Sequence, residues 1–525
     1  MSRFKSLWLL AALLACTSVA FAQKKGTGMI FDPPSLRSIP YKAKLTSQSY
    51  KSVPAAASLE RFCPTPGDQG QYSTCVAFAT AYHLRTILYN KTAAELQAKK
   101  GLSSTNTNAT IFSPTYIYEQ IKEEGDNDCL GGTNPVDAFE LMKTLGVATQ
   151  STCPYTCGGE VSTDAMLEGF DYRIADYQIL YLPDEADNSL KINSVKKALS
   201  EGYPCMLGFI VAESFYTSGA VWREQSTDDG PTGQHGRHAM CIVGYDDNKE
   251  GGAFRILNSW GTSWADNGFV WIPYDDFARY SLVAIQAYSP PPAEPEPEPE
   301  PAPEPAPEPA PKPEPVPTPE PPKPEPVNPV IDVILSGSVT FQTNTGAAMP
   351  ANRVLTRNLI VEDDVPAYKE DLVAYRMDNA YPSGTRFRFY ITTNTESFIY
   401  AFATDLSGKV NKILPFDDNM SPRIGAHSQV AFPSESKVVR MDNNPGSDYM
   451  LILYCQEPLD ASDILEKMNS QSGGLSQKIK AALGDKLTLP GDVAYNLNAI
   501  GFEVKKDPGG HKGTVVPLMV EITHN

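Results

Sequence analysis

The sequence predicts two folded domains, a first of mixed α+β structure and a second that is β-rich and sandwich-like. Three observations support this prediction: a length of 525 residues, a composition with 41% hydrophobic residues, and a proline-rich run that divides the chain. A chain of this length is too long for one compact core, and its composition is typical of globular proteins. The predicted segments are 1–22 (signal peptide), 23–54 (N-terminal strap), 55–288 (first domain), 289–330 (linker) and 331–525 (second domain).

The first domain combines helical and strand patterns. The stretch 75–97 has apolar residues at helical spacing and contains neither Gly nor Pro, so it predicts a helix. Ser73 and Thr74, directly before it, are candidate N-cap residues. The runs 206–211 and 238–243 are short, apolar and compatible with β-structure, as buried strands are. Both element types are therefore expected in this domain.

The predicted linker is rich in proline and glutamate. Its Pro-Glu-Pro and Pro-Ala-Pro repeats cannot form a helix or a sheet, because alternate residues lack an amide donor. Polyproline II structure is expected, stiffened by repulsion between the glutamates. At about 3.1 Å per residue, roughly 40 residues could span on the order of 120 Å. We interpret this run as a spacer between two domains.

The second domain is predicted to be mostly strands. Apolar residues recur with a period of two in the runs 387–391 and 398–402, and the second run meets a turn signal at 405–408. The run 451–455 is another strand candidate, and one helix is expected after Asp460. The strand and helix candidates carry their apolar residues at Phe387, Phe389, Ile391, Phe398, Tyr400, Phe402, Ile464, Leu465 and Met468.

Charge and the N-terminal residues restrict the location and the partners of the protein. The formal net charge is −18, which argues against nucleic acid as a partner because phosphates require a basic surface. Arg3 and Lys5 precede an apolar run and Ala20-Phe21-Ala22, the pattern of a signal peptide cleaved before Gln23. The apolar run is shorter than the roughly 20 residues of a membrane-spanning helix. Export is therefore predicted, to the periplasm, the cell surface or the medium; a lipoprotein anchored through Cys16 is the alternative.

A cysteine at the start of a predicted helix is the strongest candidate for chemistry. The dipole and the free N–H groups of a helix N-terminus favour a thiolate, the nucleophilic form of cysteine. Cys75 occupies this position, and Gln69 lies shortly before it. The run 68–78, DQGQYSTCVAF, resembles the nucleophile segment of the papain family of cysteine peptidases. The resemblance implies that Cys75 is the nucleophile and that the Gln69 amide, with the Cys75 N–H, binds the oxyanion.

Two further segments resemble the same family and follow in the family's order. The run 236–246, GRHAMCIVGYD, resembles its histidine strand, so His238 is the implied base and general acid, in preference to His235. The run 258–269, NSWGTSWADNGF, resembles its asparagine segment. The resemblance implies that Asn258 orients the imidazole and that Trp260 shields their hydrogen bond from water. It also implies a two-lobed fold, helical on one side and β-rich on the other, with the active site in the cleft between the lobes.

A fourth segment, 129–132, resembles the family's Cys-x-Gly-Gly run. The resemblance implies that Gly131 and Gly132 line the substrate cleft and that Gly132 pairs its backbone with the substrate, whereas an ordinary turn is the alternative. The chain departs from the family at Tyr72, where a cysteine is usual, and at Val76, where a tryptophan is usual. Because position 72 is not a cysteine, Cys129 is left to pair with Cys63, Cys153 or Cys157, or to remain free.

The stretch before Cys75 is too short for the long inhibitory propeptide that is common in this family. Only residues 23–74 lie between the predicted cleavage site and the nucleophile, and much of that length must belong to the domain itself. We therefore interpret 31–52 as an N-terminal strap in preference to a short pro-segment. Control of activity is expected to lie elsewhere or to be missing.

The resemblance implies an exported cysteine endopeptidase that acts on peptide or protein substrates. No cofactor, metal site or transmembrane segment is expected, and the chain is predicted to be a monomer. The alternatives are a catalytically inactive binding protein of the same fold, a thiol-dependent acyl transferase, and an exopeptidase. The second domain resembles an uncharacterised β-rich domain of exported bacterial proteins, and a cell-surface partner or a structural role is expected for it.

Overall fold

The computed structural model describes residues 25–100, 110–290, 333–354, 372–404, 408–488, 490–497, 499–505 and 513–525. The predicted signal peptide, Cys16, most of the predicted linker and the turn residues 405–407 lie outside the described residues. The described residues form two compact units. Residues 25–39 and 54–290 form the first, which we call the α+β unit. Residues 40–53 and the described residues from 333 onward form the second, which we call the β-rich unit.

Helices of the α+β unit begin at side chains that cap their first backbone amides. Ser113, Asn134, Ser162 and Asp187 each accept a hydrogen bond from an N–H of the following first turn. A proline follows Ser113 and Asn134, at the position where a missing N–H costs no helical hydrogen bond. The helices are Pro33–Leu36, Pro114–Ile121, Pro135–Thr144, Thr163–Asp171, Asn188–Ser200 and Tyr274–Tyr280, in addition to the central helix.

The central helix of the α+β unit begins at Cys75, as the sequence predicted, and continues to Lys99. It is α-helical at Cys75–Ala77, π-helical at Phe78–Arg85 and α-helical again at Thr86–Lys99. The predicted N-cap position is confirmed for Thr74, although its side chain caps no amide. The Thr74 hydroxyl lies 2.9 Å from the Tyr155 hydroxyl instead. The amides at this helix start therefore remain available to other partners.

An antiparallel sheet forms the other part of the α+β unit. Its strand order is β2-β7-β3-β4-β5-β6, with β1 pairing β4. The longest strand, β4, contains His238, which lies opposite Phe209 of β3. Both strands predicted in this unit are present. The strands are β1 (Ala56–Ser58), β2 (Asp176–Ile179), β3 (Cys205–Val211), β4 (Gly236–Asp246), β5 (Ala253–Leu257), β6 (Phe269–Pro273) and β7 (Ser281–Tyr288).

The β-rich unit contains two sheets. One has the order β13-β12-β17-β20-β10-β9, with β14 on β12; the other has the order β15-β11-β8-β19-β18, with β16 on β11. β10 and β20 pair in parallel, whereas the other paired strands of this unit are antiparallel. The strands are β8 (Val333–Thr343), β9 (Ala351–Arg353), β10 (Val373–Met377), β11 (Arg386–Thr393), β12 (Ser397–Thr404), β13 (Val410–Leu414), β14 (Arg423–Ile424), β15 (Ser428–Phe432), β16 (Val439–Arg440), β17 (Gly446–Cys455), β18 (Ala494–Tyr495), β19 (Gly501–Lys505) and β20 (Val515–His524).

The two sheets share one hydrophobic core, as a sandwich does. Phe389 of β11 and Ile452 of β17 belong to the same buried cluster. A second cluster packs two helices, Ala461–Ser470 and Leu475–Leu483, on the outer face of the sheet that contains β12. Phe402 belongs to this second cluster and Ala401 to the first, so β12 is buried on both faces. The prediction of a mixed α+β chain with a sandwich-like second domain is confirmed, with a second helix that the sequence did not predict.

Part of the predicted N-terminal strap belongs to the β-rich unit. Residues 40–53, which include the helix Ser47–Lys51, contribute Ala43 and Leu45 to the sandwich core. The Thr46 N–H donates to the Gln429 carbonyl at 2.8 Å, and so joins this segment to the edge strand β15. The segment therefore covers the edge strand of a sheet, although that strand lies nearly four hundred residues later in the chain.

Candidate active site

Cys75 lies at the start of the central helix, fully buried. Backbone N–H groups of Ala239, Gly28, Val76 and Cys75 itself hydrogen-bond its sulfur and favour the charged form. Burial has the larger effect and raises the pKa of the thiol to about 11. Because Ala239 directly follows His238 in β4, this contact brings the helix start and the histidine strand together.

His238 is also fully buried. One of its ring nitrogens, Nε2, lies 2.8 Å from Oδ1 of Asn258, and among the described residues the other nitrogen has no hydrogen-bond partner. Burial lowers the pKa of the imidazole to about 4, although the hydrogen bond with Asn258 acts in the opposite direction. The ring packs on Trp260, with 4.8 Å between centroids and 28° between planes. The aromatic ring thus covers the pair on one side.

Asn258 directly follows β5, and hydrogen bonds with backbone groups hold it in place. Its N–H donates to the Gly268 carbonyl at 3.0 Å, and its Oδ1 also accepts the Ser259 N–H at 2.8 Å. Gly268 has a φ of +87°, and an added Cβ would lie 2.4 Å from the Pro66 side chain, so glycine is required there. These contacts fix the amide oxygen that faces His238.

Gln69 is a buried side chain with both ends bonded. Its Oε1 accepts the Ser259 hydroxyl at 2.5 Å, while its Nε2 donates to the Tyr72 carbonyl at 2.7 Å and to the Gly26 carbonyl at 3.2 Å. The Trp260 indole N–H donates to the same Gly26 oxygen at 3.1 Å. A carbonyl oxygen therefore occupies the donor site that the sequence predicted around Gln69.

The predicted glycine run lies beside the same site. Gly132 has a φ of +78°, and a Cβ added there would lie 2.2 Å from the Gly28 carbonyl oxygen. The adjacent Gly131 lies beside a different group, because a Cβ added to it would be 3.1 Å from a carboxylate oxygen of Asp126. The hydrogen bonds to the neighbouring segment are made by Thr133, which the sequence did not single out. The contact of Gly131 and Gly132 with a substrate stays a prediction.

The preceding cysteine of that run is disulfide-bonded. Cys129 is joined to Cys157, which was one of the alternatives left open by the sequence. Cys63 and Cys153 are free and buried, as is Cys75. The described residues hold no group of three or more His, Cys, Asp or Glu side chains arranged to bind a metal ion. The side chains that the site brings together are the Cys75 thiol, the His238 imidazole and the amides of Asn258 and Gln69.

Comparison with known proteins shows which family this segment is similar to. Residues 61–289 match the family model described as papain family cysteine protease. The match covers less than half of the chain, and we call the matched segment the papain-family domain after it. Residues 380–458, within the β-rich unit, match a domain of unknown function, DUF4384.

Individual relatives of the papain-family domain are distant. An uncharacterized peptidase C1-like protein of Acanthamoeba polyphaga mimivirus is 34% identical over 99 residues, which are 18% of this chain and 30% of that protein. A cathepsin B-like protein, CP3, of Giardia intestinalis is 26% identical over 215 residues, 39% of this chain and 63% of that protein. The chain thus spans between 30% and 63% of the length of these two relatives. Among solved structures, xylellain, a cysteine protease from Xylella fastidiosa, is 22% identical with a TM-score of 0.40, covering 51% of this chain and 97% of that one.

The N-terminal residues 25–31 cover the candidate site of the papain-family domain. Residues 25–31, which were not part of the predicted site, contact Gln69, Cys75 and Trp260. The signal that could have revealed them is the pair Gly26 and Gly28, since alternate glycines permit a close approach of backbone to backbone. With this cover in place, burial disfavours the charged forms of both the thiol and the imidazole.

His83, in the π-helical segment, is a second buried imidazole near His238. Neither of its ring nitrogens has a hydrogen-bond partner among the described residues, and the rings of Phe78 and Tyr82 pack against it. Burial, with a smaller repulsion from His238, lowers its pKa to about 3. The sequence did not identify this residue, because a lone histidine inside a helical pattern carries no signal of burial.

We expect His83→Phe to remove part of the acid sensitivity of the papain-family domain. The unfolded chain binds a proton at His83 below about pH 6.5 and the folded chain does not, so stability falls as pH decreases. Between pH 7 and pH 4.5 the wild type should lose about 2–3 kcal/mol more unfolding free energy than the variant. Urea unfolding followed by tryptophan fluorescence measures this, because no tryptophan lies beyond Trp271. Parallel pH curves for the two proteins would show that His83 is not held neutral.

Proposed function

We propose that this chain is an exported cysteine endopeptidase that hydrolyses peptide bonds in protein substrates. Cys75 is the nucleophile, and His238 is its base and later the general acid. Asn258 orients the imidazole, Gln69 donates to the oxyanion, and the run that contains Gly131 and Gly132 contacts the substrate. Trp260 shields the hydrogen bond between His238 and Asn258.

One observation carries the proposal: a thiol at a helix start lies against the strand that bears a positioned imidazole. The Cys75 sulfur accepts the N–H of Ala239, the residue next to His238. The imidazole is in turn fixed by the 2.8 Å contact with Asn258. A nucleophile, its acid–base partner and the group that orients that partner are the parts required for nucleophilic catalysis.

The reaction begins with proton transfer from the Cys75 thiol to His238. The thiolate attacks the substrate carbonyl carbon, a C–S bond forms, and the oxygen becomes an oxyanion that accepts from Gln69 and the Cys75 N–H. The imidazolium gives its proton to the leaving amine as the C–N bond breaks. His238 then takes a proton from water, the hydroxide attacks the thioester, and the C–S bond breaks. The acid product leaves, and the His238 imidazolium returns its proton to the sulfur, which restores the thiol.

Export is supported by two independent features. The N-terminal residues have the pattern of a cleaved signal peptide. The disulfide between Cys129 and Cys157 suits an oxidising compartment, because thiols in the cytosol are kept reduced. None of the helices in the described part of the chain is long and apolar enough to cross a bilayer.

Exhaustive alkylation with a peptidyl epoxide, followed by mass spectrometry, tests the assignment of the nucleophile. The test uses Gly28→Ala, because a Cβ at this position would lie 2.3 Å from the Ser73 carbonyl oxygen and should displace residues 25–31 from the site. In this variant we expect one label per chain, on Cys75, because the peptide part of the epoxide directs it to the cleft. The other buried cysteines outside the disulfide should stay unlabelled: Cys63, Cys153, Cys205, Cys241 and Cys455. His238→Ala should slow the labelling by about 100-fold or more, since the thiolate loses its partner. No label on Cys75, together with no hydrolysis of any unfolded protein, would favour the inactive binding-protein alternative.

A further inference from the structure

The edge strand β15 of the β-rich unit pairs with the segment 40–53 at one residue, Gln429. The Gln429 N–H donates to the Ser49 hydroxyl at 2.8 Å, and the Gln429 carbonyl accepts the Thr46 N–H, also at 2.8 Å. Because both backbone groups of Gln429 are used in this way, they face away from the neighbouring strand β11. The outer side of β15 is therefore the side that the segment 40–53 contacts.

Two residues further along β15, the backbone groups of Ala431 face the same outer side. Backbone groups alternate between the two sides of a strand, and β15 pairs with β11 from Ser428 to Phe432 without a change of register. Ala431 is 7% exposed, yet neither its N–H nor its carbonyl has a hydrogen-bond partner on this side among the described residues. Buried backbone groups are nearly always paired, so these two point to a partner that has both an acceptor and a donor. The backbone of an extended peptide has both.

A cavity of about 620 Å³ opens beside Ala431, which forms part of its wall. Apolar side chains of Leu45, Met420 and Phe432 line it as well. Phe416 also lines the cavity, although 57% of this large apolar residue is exposed. The volume lies within the range of ligand-binding pockets, and pockets of this kind are mostly apolar. The cavity therefore has room for an apolar side chain of a peptide that pairs with Ala431.

Two lysines line the same cavity. Lys44 and Lys437 are both exposed, and neither ammonium group has an ion-pair or hydrogen-bond partner among the described residues. The carboxylate in the lining, that of Glu435, accepts the Ser47 N–H and the Ser47 hydroxyl at 3.0 Å each. Lysines without a carboxylate partner, in a chain whose formal net charge is −18, favour an acidic ligand because opposite charges attract.

We propose that the β-rich unit binds an extended acidic segment of another protein, which adds to the outer side of β15 at Ala431. A carbonyl of the bound segment accepts the Ala431 N–H, and an N–H of the segment donates to the Ala431 carbonyl. An apolar side chain of the segment enters the cavity, and its acidic side chains meet Lys44 and Lys437. This binding does not depend on the proposed peptidase function, because all of these residues belong to the β-rich unit.

The chain's own Pro/Glu-rich run is acidic too, but its side chains fit the cavity less well. Residues 293–315 contain only Ala, Pro, Glu and one Lys. None of these is a large apolar side chain of the kind that fills a pocket lined by Leu, Met and Phe. In addition, alternate residues of the run are prolines, which have no N–H to donate to a neighbouring strand. A segment with larger apolar residues, from another protein, therefore fits better.

Fluorescence anisotropy of a labelled peptide tests the charge preference of the cavity. The probe is a short capped peptide of alternating glutamate and leucine, and the protein is the complete chain with Cys75→Ala, which removes the proposed nucleophile and so keeps the peptide intact. Lys44→Glu should raise Kd by about tenfold or more, and it should bind a lysine–leucine peptide more tightly than the glutamate–leucine peptide. Lys51→Glu is the matched control and should leave Kd unchanged, because Lys51 is an exposed lysine of the same segment that does not line the cavity.

Ala431→Pro tests the backbone pairing in the same assay. The N–H that proline lacks faces away from β11, so the hydrogen bonds between β15 and β11 are kept. Kd should rise by about tenfold or more, because the bound strand loses a backbone hydrogen bond. A glutamate–leucine peptide with methylated backbone nitrogens should bind the protein without this substitution equally weakly. The methylated peptide leaves the protein unchanged, and so this test does not depend on the folding of Ala431→Pro.

Three results would overturn the proposal: no binding of the glutamate–leucine peptide, equal Kd values in Lys44→Glu and Lys51→Glu, or equal Kd values for the methylated and unmethylated peptides. A peptide of residues 293–315 provides the comparison with the chain's own run. Weaker binding of this peptide than of the glutamate–leucine peptide is expected. Tighter binding would assign the cavity to the Pro/Glu-rich run and would contradict the partner named here.

Discussion

Cys75→Ala is expected to lower kcat/KM for peptide hydrolysis by about four orders of magnitude or more. The thiol provides the covalent intermediate, and neither the His238 imidazole nor the Asn258 and Gln69 amides can replace it as the nucleophile. The assay is best made in the Gly28→Ala background, in which the cleft should be free of the N-terminal segment. The measurement is the initial rate of release from a fluorogenic peptide under reducing conditions.

Cys153→Ala is the matched control for this experiment. Cys153 is a free, buried cysteine of the same unit, and it is not among the residues that contact the Cys75 sulfur. Its replacement should leave kcat/KM within about a factor of two, since removal of a buried thiol affects packing and not chemistry. An unchanged rate in Cys75→Ala would rule out Cys75 as the nucleophile.

Gln69→Ala is expected to lower kcat by about 100- to 1,000-fold, with a much smaller change in KM. The Gln69 amide N–H donates to the Gly26 carbonyl oxygen in this structure, and this oxygen indicates where an oxyanion would lie. A donor of this kind acts mainly in the transition state, and its removal typically costs two to three orders of magnitude, or about 3–4 kcal/mol. The same Gly28→Ala background is needed, because the lost hydrogen bond would also weaken the docked segment.

Ser259→Ala tests how much the orientation of the Gln69 amide contributes to the rate. The Ser259 hydroxyl holds the Gln69 oxygen at 2.5 Å, so its removal leaves the amide in place but less well oriented. We expect a loss in kcat of about tenfold, smaller than that of Gln69→Ala. A change confined to KM in both variants would indicate that Gln69 contributes to substrate binding and not to the chemical step.

Much of the candidate site could be predicted from the sequence because its parts lie on regular elements. The run after Cys75 has no helix breaker, and the central helix begins at Cys75. The apolar run 238–243 forms the middle of β4. In the β-rich unit, the alternation at Phe387 and Phe389 became the buried face of β11. These patterns are local, and a period of two or of 3.6 is set by the backbone alone.

Other features depend on residues that meet only after folding. The partner of Cys129 remained open among three cysteines, and only the approach of the backbone at Cys157 decides the pairing. The sequence predicted that Ala43 and Leu45 belong to an N-terminal strap. In the structure they lie in the core of a sandwich formed from residues beyond 333. No periodicity links segments so far apart, and so the sequence could not assign them.

From the sequence alone we could predict a thiol at a helix start, an imidazole on a strand, and the order of the two along the chain. The folded structure was needed to show that residues 25–31 cover these groups. The reason is physical, because the fit of Gly26 and Gly28 depends on distances to the backbone at Tyr72 and Ser73, which only the folded chain defines. A side-chain pattern can predict which face of an element is buried, but the close approach of two backbones leaves little trace in sequence beyond a glycine.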